Sequence, residues 1–344
     1  MIGGQTMYLI DTQRDGKEIF DARVNQSLDN YFVNEKKLPG HGFMMYINQP
    51  SVIIGKNQNV WAEVNTDYLR EHDIQLVRRT SGGGAVYHDM GNLIFENIVI
   101  DDDSEFGNYA HFAEPVLKAL QKLGVDVKMK ENSSDLIFQD KKFSGMTMFK
   151  SGNSLAAGGT IMYDLNLENA HYSLTENESE KAKRLGVASK RSPMINLKDY
   201  LPEDMDINRL RDYLLKEIFA VEDLSEIEVY HMTDDDWKII DQRMKETYGT
   251  DEWNFGRNPG YYHYAARNFE PGKLGINYTV TDGKVEHLKL NPDFVPDGDL
   301  GEIENRLVGK TPSINMIEKA VKKSKLRNVD FNQLVNFLNE FLNN

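Results

Sequence analysis

Residues 78–92 read RRTSGGGAVYHDMGN. Three consecutive glycines, Gly82, Gly83 and Gly84, are costly to order, because glycine loses more conformational freedom on folding than any other residue. A chain that keeps them together has its backbone close to something that a side chain would obstruct. The arginines beside them point to an anion as that neighbour. Neither common phosphate loop fits. No Lys-Ser/Thr follows the glycines, there is no G-x-G-x-x-G, and the residues after them have strand rather than helix character. A Walker ATPase and a Rossmann dehydrogenase are therefore not expected. A glycine-rich hairpin remains, and so does an anion-binding nest with Arg79 and Ser81 as extra donors.

The net charge of −14 argues against general nucleic-acid binding, although it permits a local cationic pocket. With no cysteine in the chain, disulfides, thiolate metal sites and thiol nucleophiles are excluded. The opening MIGGQTMYLI has no basic stretch leading into an apolar run, and no segment reaches the roughly 20 apolar residues of a membrane span. A cytoplasmic protein with no membrane or nucleic-acid partner is expected.

At 344 residues, a large domain followed by a smaller one is the natural division. GFMMYINQPSVIIGK predicts two strands broken at Gln49-Pro50. A short helix is expected from a cap at Asn65 or Thr66. Then come a strand over IQLVRRT, the glycine loop and a returning strand region. Apolar residues at helical spacing predict a helix from Asn108 to Gly124. SSDLIFQDKKFSGMTMFKSGNSLAAGGTIMYDLNL predicts an antiparallel meander, and TDDDWKIIDQRMKETYG a helix capped by Thr233 or Asp234. The texture changes between residues 225 and 235. Beyond it, Asp282-Gly283 predicts a hairpin, with helices after it. The expected architecture is α+β: a large domain of mixed and antiparallel sheets with flanking helices over residues 7–230, and a small α+β domain over 231–344.

A second segment, DKKFSGMTMFKSG, carries Lys142 beside a Ser-Gly turn in strands too apolar for a casual lysine. A lone lysine is ordinarily solvated. Beside an anion-binding loop it can neutralise charge developing on a phosphate or carbonyl. Arg78 reads as structural or solvated, and His88 as either a core histidine or a site group. The acidic DDDSEFG reads as a loop whose Asp103 or Ser104 caps the next helix, not as a metal site. Mg2+ would arrive with a nucleotide.

At these residues the chain resembles the lipoate–protein ligases of the biotin/lipoate ligase superfamily. PSVIIGKNQN, VRRTSGGGAVYHDMGNL, SSDLIFQDKKFSG, GGTIMYDLNL and WNFGRNP stand in that family's order, and WNFGRNPGYYHY resembles the start of the accessory domain of two-domain ligases. The resemblance implies a catalytic fold like that of biotin ligases and class II aminoacyl-tRNA synthetases. It implies that ATP and Mg2+ activate lipoate or octanoate to an acyl-adenylate with release of pyrophosphate. The acyl group then passes to a lysine of a lipoyl-accepting domain, such as a glycine cleavage H-type protein or an acyltransferase subunit of a 2-oxoacid dehydrogenase. By motif position, Arg79, Ser81, Gly82, Gly83, Gly84, His88 and Gly145 would contact the lipoyl substrate. Tyr87, Asn92, Asp135 and Lys142 would contact the nucleotide, with His88 next to Tyr87 near the adenine. Lys142 would be the catalytic group, and Asp135 would lie near the nucleotide-borne Mg2+.

Three departures bear on specificity. Met146-Thr147 stands where many relatives have Asn-Ala or Ser-Ala, Ala157-Gly158-Gly159 stands for His-His-Gly, and NPDFV stands for Gly-Asp-Phe-Phe. The acyl transferases of this fold use a catalytic cysteine, which is missing here, and the Gly-Arg-Gly-Arg of biotin ligases is absent. The alternative from another class is a degenerate, non-catalytic protein that binds lipoate or a lipoyl domain, or a ligase of altered acyl or acceptor specificity.

Overall fold

The computed structural model describes residues 7–174 and 186–343. Its elements in chain order are β1 (Met7–Asp11), α1 (Ala22–Tyr31), β2 (His41–Ile47), β3 (Ser51–Ile54), α2 (Val60–Glu63), α3 (Thr66–Glu71), β4 (Gln75–Arg78), β5 (Val86–His88), β6 (Asn92–Val99), α4 (Tyr109–Lys122), β7 (Lys128–Met129), β8 (Asp135–Phe138), β9 (Lys141–Ser151), β10 (Ser154–Met162) and α5 (Leu167–Ser173). After them come α6 (Ile207–Phe219), β11 (Val229–His231), α7 (Asp234–Arg243), β12 (His263–Phe269), β13 (Gly272–Thr281), β14 (Lys284–Pro292), α8 (Leu300–Leu307), α9 (Ile314–Ser324) and α10 (Phe331–Leu342).

The eight-stranded sheet has the order β11-β1-β2-β6-β10-β9-β8-β7. Strand β1 runs parallel to both neighbours, and the other pairings are antiparallel. This is the expected mixed sheet. Its middle strands are buried on both faces, so they read as apolar runs rather than as alternation. One face packs with α4 and α6 through Phe43, Phe95, Phe112, Leu120 and Leu214. The other packs with α1 and α7 through Met44, Tyr46, Leu28 and Trp237.

The small sheet has the order β4-β3-β5, with β3 parallel to β4 and antiparallel to β5. Strands β4 and β5, which flank the glycines, pair with β3 and not with each other. The hairpin reading of the glycine loop is therefore wrong: the loop carries the chain across the end of β3.

Capping explains most helix starts. Asn65 accepts from the Tyr68 N–H, and Thr233 and Asp236 form a reciprocal capping box. The helix after DDDSEFG is capped by Asn108, whose side chain accepts from the His111 N–H, and not by Asp103 or Ser104. Those two lie a turn too early, because residues 103–108 make their own backbone turns first. Gly124, at φ +86°, follows the helix end as expected.

The expected division at 230/231 falls inside β11, which pairs with β1 of the large sheet. Trp237 and Ile240 of α7 belong to the large sheet's core, and Tyr31 and Tyr230 both donate to Asp236. The tail's separate core begins only with β12 to β14 and α8 to α10. Its hairpin turns at Asp282-Gly283, both at positive φ as a two-residue type I′ loop requires.

Candidate active site

Arg79 is 4% exposed, and its guanidinium is spent on main-chain carbonyls: Ile53 at 2.9 Å, Gly82 at 2.6 Å and Gly84 at 2.8 Å. It therefore shapes the glycine loop from inside. Gly83 has φ +94°, which a side chain rarely tolerates. Its carbonyl oxygen lies 2.2 Å from where a Cβ on Gly55 would stand, so the loop and the end of β3 touch through backbone. A Cβ on Gly84 would come within 3.1 Å of Ser189, whereas one on Gly82 would meet open space. Only part of the triplet is closely packed. Gly83 and Gly84 face a cavity, and Gly82 does not.

Arg78 is fully buried and purely structural. It donates to the carbonyls of Gln58 at 2.9 Å and Gly55 at 3.1 Å. Its own main chain is gripped by the WNFGRNP segment: Asn254 accepts from the Arg78 N–H at 2.9 Å, and the Trp253 indole donates to the Arg78 carbonyl at 2.7 Å. Residues 253–258 thus brace the strand that leads into the glycine loop.

The second cluster depends on a register shift. Strands β8 and β9 turn at Gln139 and Asp140, both at positive φ, and pair Phe138 with Lys141 and Ile137 with Lys142. The pairing then slips by one, so that Leu136 opposes Ser144 and Asp135 opposes Gly145. In an unbroken strand positions 142 and 145 would face opposite sides; the bulge turns Lys142 to the side of Gly145 and Asp135. Lys142 Nζ then reaches Asp135 Oδ1 at 2.6 Å. A Cβ on Gly145 would stand 2.7 Å from that Nζ, so the glycine is the space the lysine lies across.

Two cavities meet at this lysine. The first, about 470 Å3, is lined by Tyr87, Met162, Leu165, Met194, Lys190 and Arg191. The second, about 400 Å3, is lined by Gly83, His88, Asp29, Glu96, Ser81 and Thr147, with Ser81 Oγ at 3.2 Å from Thr147 Oγ1. Ala85, Val86, Lys142, Gly145, Thr160 and Lys190 line both. Asp135 and Arg79 line the second.

Tyr87 and His88 were expected on one side. As neighbours in a strand they point to opposite sides, Tyr87 into the first cavity and His88 into the second. His88 Nδ1 lies 3.1 Å from the Asn48 amide nitrogen, which fixes it as the acceptor. Nε2 is then an N–H with no acceptor among the described residues. Burial, with Arg79 adding to it, pushes the His88 imidazole down to about 3, so the ring is neutral. Asn92, expected at the nucleotide, lines neither cavity. It opens β6, fully buried, and its carboxamide has no partner among the described residues.

Two features were missed in the sequence. Residues 186–195 form a strap over the site. The Ser189 hydroxyl accepts from the Ala85 N–H, Lys142 N–H donates to the Pro193 carbonyl, and Ile195 N–H donates back to Lys142. The paired cations Lys190-Arg191 were its signal. The other is Glu96, a single charge inside the strand NLIFENIV. For Mg2+, no group of three or more His, Asp or Glu side chains is gathered among the described residues, and Asp135 is held by Lys142. This donor set fits an ion carried by phosphate oxygens and not a protein cage.

The family model of the lipoyl protein ligase A/B catalytic domain matches residues 21–219, and that of the bacterial lipoate protein ligase C-terminus matches residues 258–338. The chain is 36% identical over 313 residues to lipoate-protein ligase LplJ of Bacillus subtilis, covering 91% of this chain and 94% of that one. It is 38% identical over 308 residues to lipoate–protein ligase 1 of Staphylococcus aureus, covering 90% and 92%. The fold matches the lipoate complex of P. falciparum LipL1 with a TM-score of 0.57 at 22% identity, over 98% of this chain and 99% of that one. It also matches lipoate-protein ligase A bound with ATP, with a TM-score of 0.58 at 22% identity, over 73% and 98%. The chain is an enzyme of the lipoate–protein ligase family, the ATP-dependent ligases that activate lipoate and join it to protein.

Proposed function

We propose that the meeting point of the two cavities at Lys142 is where a lipoate carboxylate meets the α-phosphate of ATP. The observation that carries this is a strand lysine, Lys142, that lines both cavities with Asp135 holding its ammonium in place, and Lys190 of the strap lines both beside it. The polyphosphate belongs with the first cavity, where Lys190 and Arg191 stand beside the apolar wall containing Tyr87. The second cavity encloses Asp29 and Glu96, buried acids that offer a triphosphate no cation, so it takes the acyl chain.

The residues that touch both substrates then have definite roles. A carboxylate oxygen attacks the α-phosphorus as the bond to pyrophosphate breaks, and pyrophosphate leaves with the electron pair. Lys142 donates to oxygens that gain charge in that step, a stabilisation that grows toward the transition state. The neutral amine of an acceptor lysine next attacks the acyl carbon, AMP departs, and the nitrogen loses a proton. The strap excludes water from a mixed anhydride that hydrolysis would otherwise waste. Tyr87 lines the adenine side. Arg79, Gly83 and Gly84 hold the wall against which the acyl head lies. Mg2+ comes with the phosphates of ATP and is held mainly by them.

The acceptor is a lipoyl-accepting domain, of the H-type protein or acyltransferase class, and the enzyme works in the cytoplasm. One solved relative pairs a bi-partite ligase with its E2 lipoyl domain, which supports an acceptor of that kind. We place the catalytic unit through about residue 257, with the accessory unit after it. The test is pyrophosphate release from ATP, Mg2+ and lipoate, followed by a mass increase of one lipoyl group on an added lipoyl domain. Lipoate binding with neither event would contradict the reading.

A further inference from the structure

The acyl end of the second cavity is unusual for an alkyl chain. Strand pairing sets Met44, Glu96, Gly158 and Thr147 in one row across β2, β6, β10 and β9. The face they share is otherwise apolar, with Tyr46, Ile94 and Ile98 on the adjacent rows. Glu96 is nonetheless only 9% exposed, and it lies over Gly158: a Cβ there would stand 2.0 Å from Glu96 Oε2. The missing side chain at position 158 is thus the space that the Glu96 carboxyl fills. Asp29, from α1, lines the same cavity at 8% exposure, and so does Gln26, which donates to the Tyr46 hydroxyl.

The charges do not cancel by pairing. Arg79, the cation whose charge acts on both acids, directs its hydrogen bonds at Ile53, Gly82 and Gly84 carbonyls. Burial raises the Glu96 carboxyl well above its ordinary range, with Asp29 adding to the shift and Arg79 opposing it. Burial likewise pushes Asp29 up to about 7. A methyl terminus placed among these groups would strip water from them and return no hydrogen bond. A terminus with a polar atom would form a hydrogen bond with a carboxyl that is already inside the cavity.

We propose that Glu96, seated over Gly158, is a specificity-determining residue that selects against a plain alkyl acid and favours a medium-chain carboxylic acid whose far end carries a group able to hydrogen-bond with a carboxyl. The proposal rests on the assignment of the second cavity to the acyl chain. It deepens that assignment by naming what the chain ends in. A site built to hydrogen-bond a substrate group rejects the analogue that lacks it far more strongly than an apolar pocket rejects an extra methylene.

The test is titration calorimetry of the full chain without ATP, using octanoate and ω-hydroxyoctanoate as probes and lipoate as common reference. The native protein is expected to bind ω-hydroxyoctanoate at least about tenfold more tightly than octanoate. Glu96→Ala should abolish that preference, while Glu96→Gln, which keeps an amide in place, should retain most of it. Equal or tighter binding of octanoate by the native protein overturns the proposal, whether or not the variants fold. So does a preference that survives in Glu96→Ala. Pyrophosphate release with the same acids reads the chemistry separately: a preserved ranking with no release from any acid would overturn the adenylation reading and leave this one standing.

Discussion

The two cavities that meet at Lys142 are close in size and opposite in character. The first pairs an apolar wall with the cations of the strap. The second is walled by the glycine loop and ends among buried acids. At their common edge a bulged strand, a glycine and a carboxylate together hold the Lys142 ammonium, and Lys190 of the strap also lines both cavities. Under the proposed assignment, a cavity for polyphosphate can adjoin one that ends among buried acids, because the ammonium groups of Lys142 and Lys190 at their common edge serve the contents of both. The asymmetry implies that substrates are sorted by electrostatics and joined by position.

The largest expected effect breaks the junction itself. Lys142→Ala should lower lipoate-dependent pyrophosphate release by about 10²–10³-fold, the scale of losing one transition-state donor. Thermal unfolding should stay near that of the native protein. Gly145→Val is a subtler form of the same break, because its Cβ would stand 2.7 Å from the ammonium and push it aside. A loss of about ten- to a hundredfold in rate is expected with Lys142 still present. An unchanged rate would show that the lysine's position is not what matters.

Gly83→Val tests the wall of the second cavity alone. At φ +94°, with Arg79 3.0 Å from the new Cβ, it should cost about 1–3 kcal/mol of stability, read from the denaturant midpoint. It should weaken lipoate binding more than ATP binding. Equal weakening of both would mean that the loop serves the two cavities together.

The smallest effect is on pH dependence. Asp29, raised to about 7 chiefly by burial, holds a proton in the folded chain that the unfolded chain has released. Its contribution to stability is present below about pH 4 and is lost as pH rises to about 7. His41 and His88, held down to about 4 and about 3 chiefly by burial, act in the opposite sense, and their contribution is lost as pH falls below about 6.5. Asp29→Asn should remove the opposing trend, so that stability climbs more steeply between pH 4 and pH 7 in urea midpoints. An unchanged slope would place Asp29 in a wetter setting than the cavity described here.

Much of this was legible in the chain. The glycine triplet marked the loop, and a lysine beside a Ser-Gly turn in apolar strands pointed to the second cluster. The causes were less legible, because they involve residues distant in sequence. The tight glycine is Gly83, and what makes it tight is Gly55 at the end of another strand. Arg79 looked like an anion ligand, but its donors are taken by the carbonyls of the loop beside it. The pairing slip that turns Lys142 toward Asp135 leaves no mark in the sequence beyond the glycine at 145. A break in texture near residue 230 suggested a domain boundary, yet β11, α7 and Trp253 all belong with the large unit. Glu96 was the readable signal that went unread. One acid in an eight-residue buried strand needs a partner, and its partner is the empty space at Gly158.

The most direct test of the central claim is pyrophosphate release by the purified protein with ATP, Mg2+ and lipoate before any acceptor is added, run beside Lys142→Ala. A junction that joins the contents of two cavities requires release that depends on lipoate and is nearly lost in the variant. Release that is equal in the two proteins would contradict that claim. So would its absence from the native enzyme when both substrates are bound.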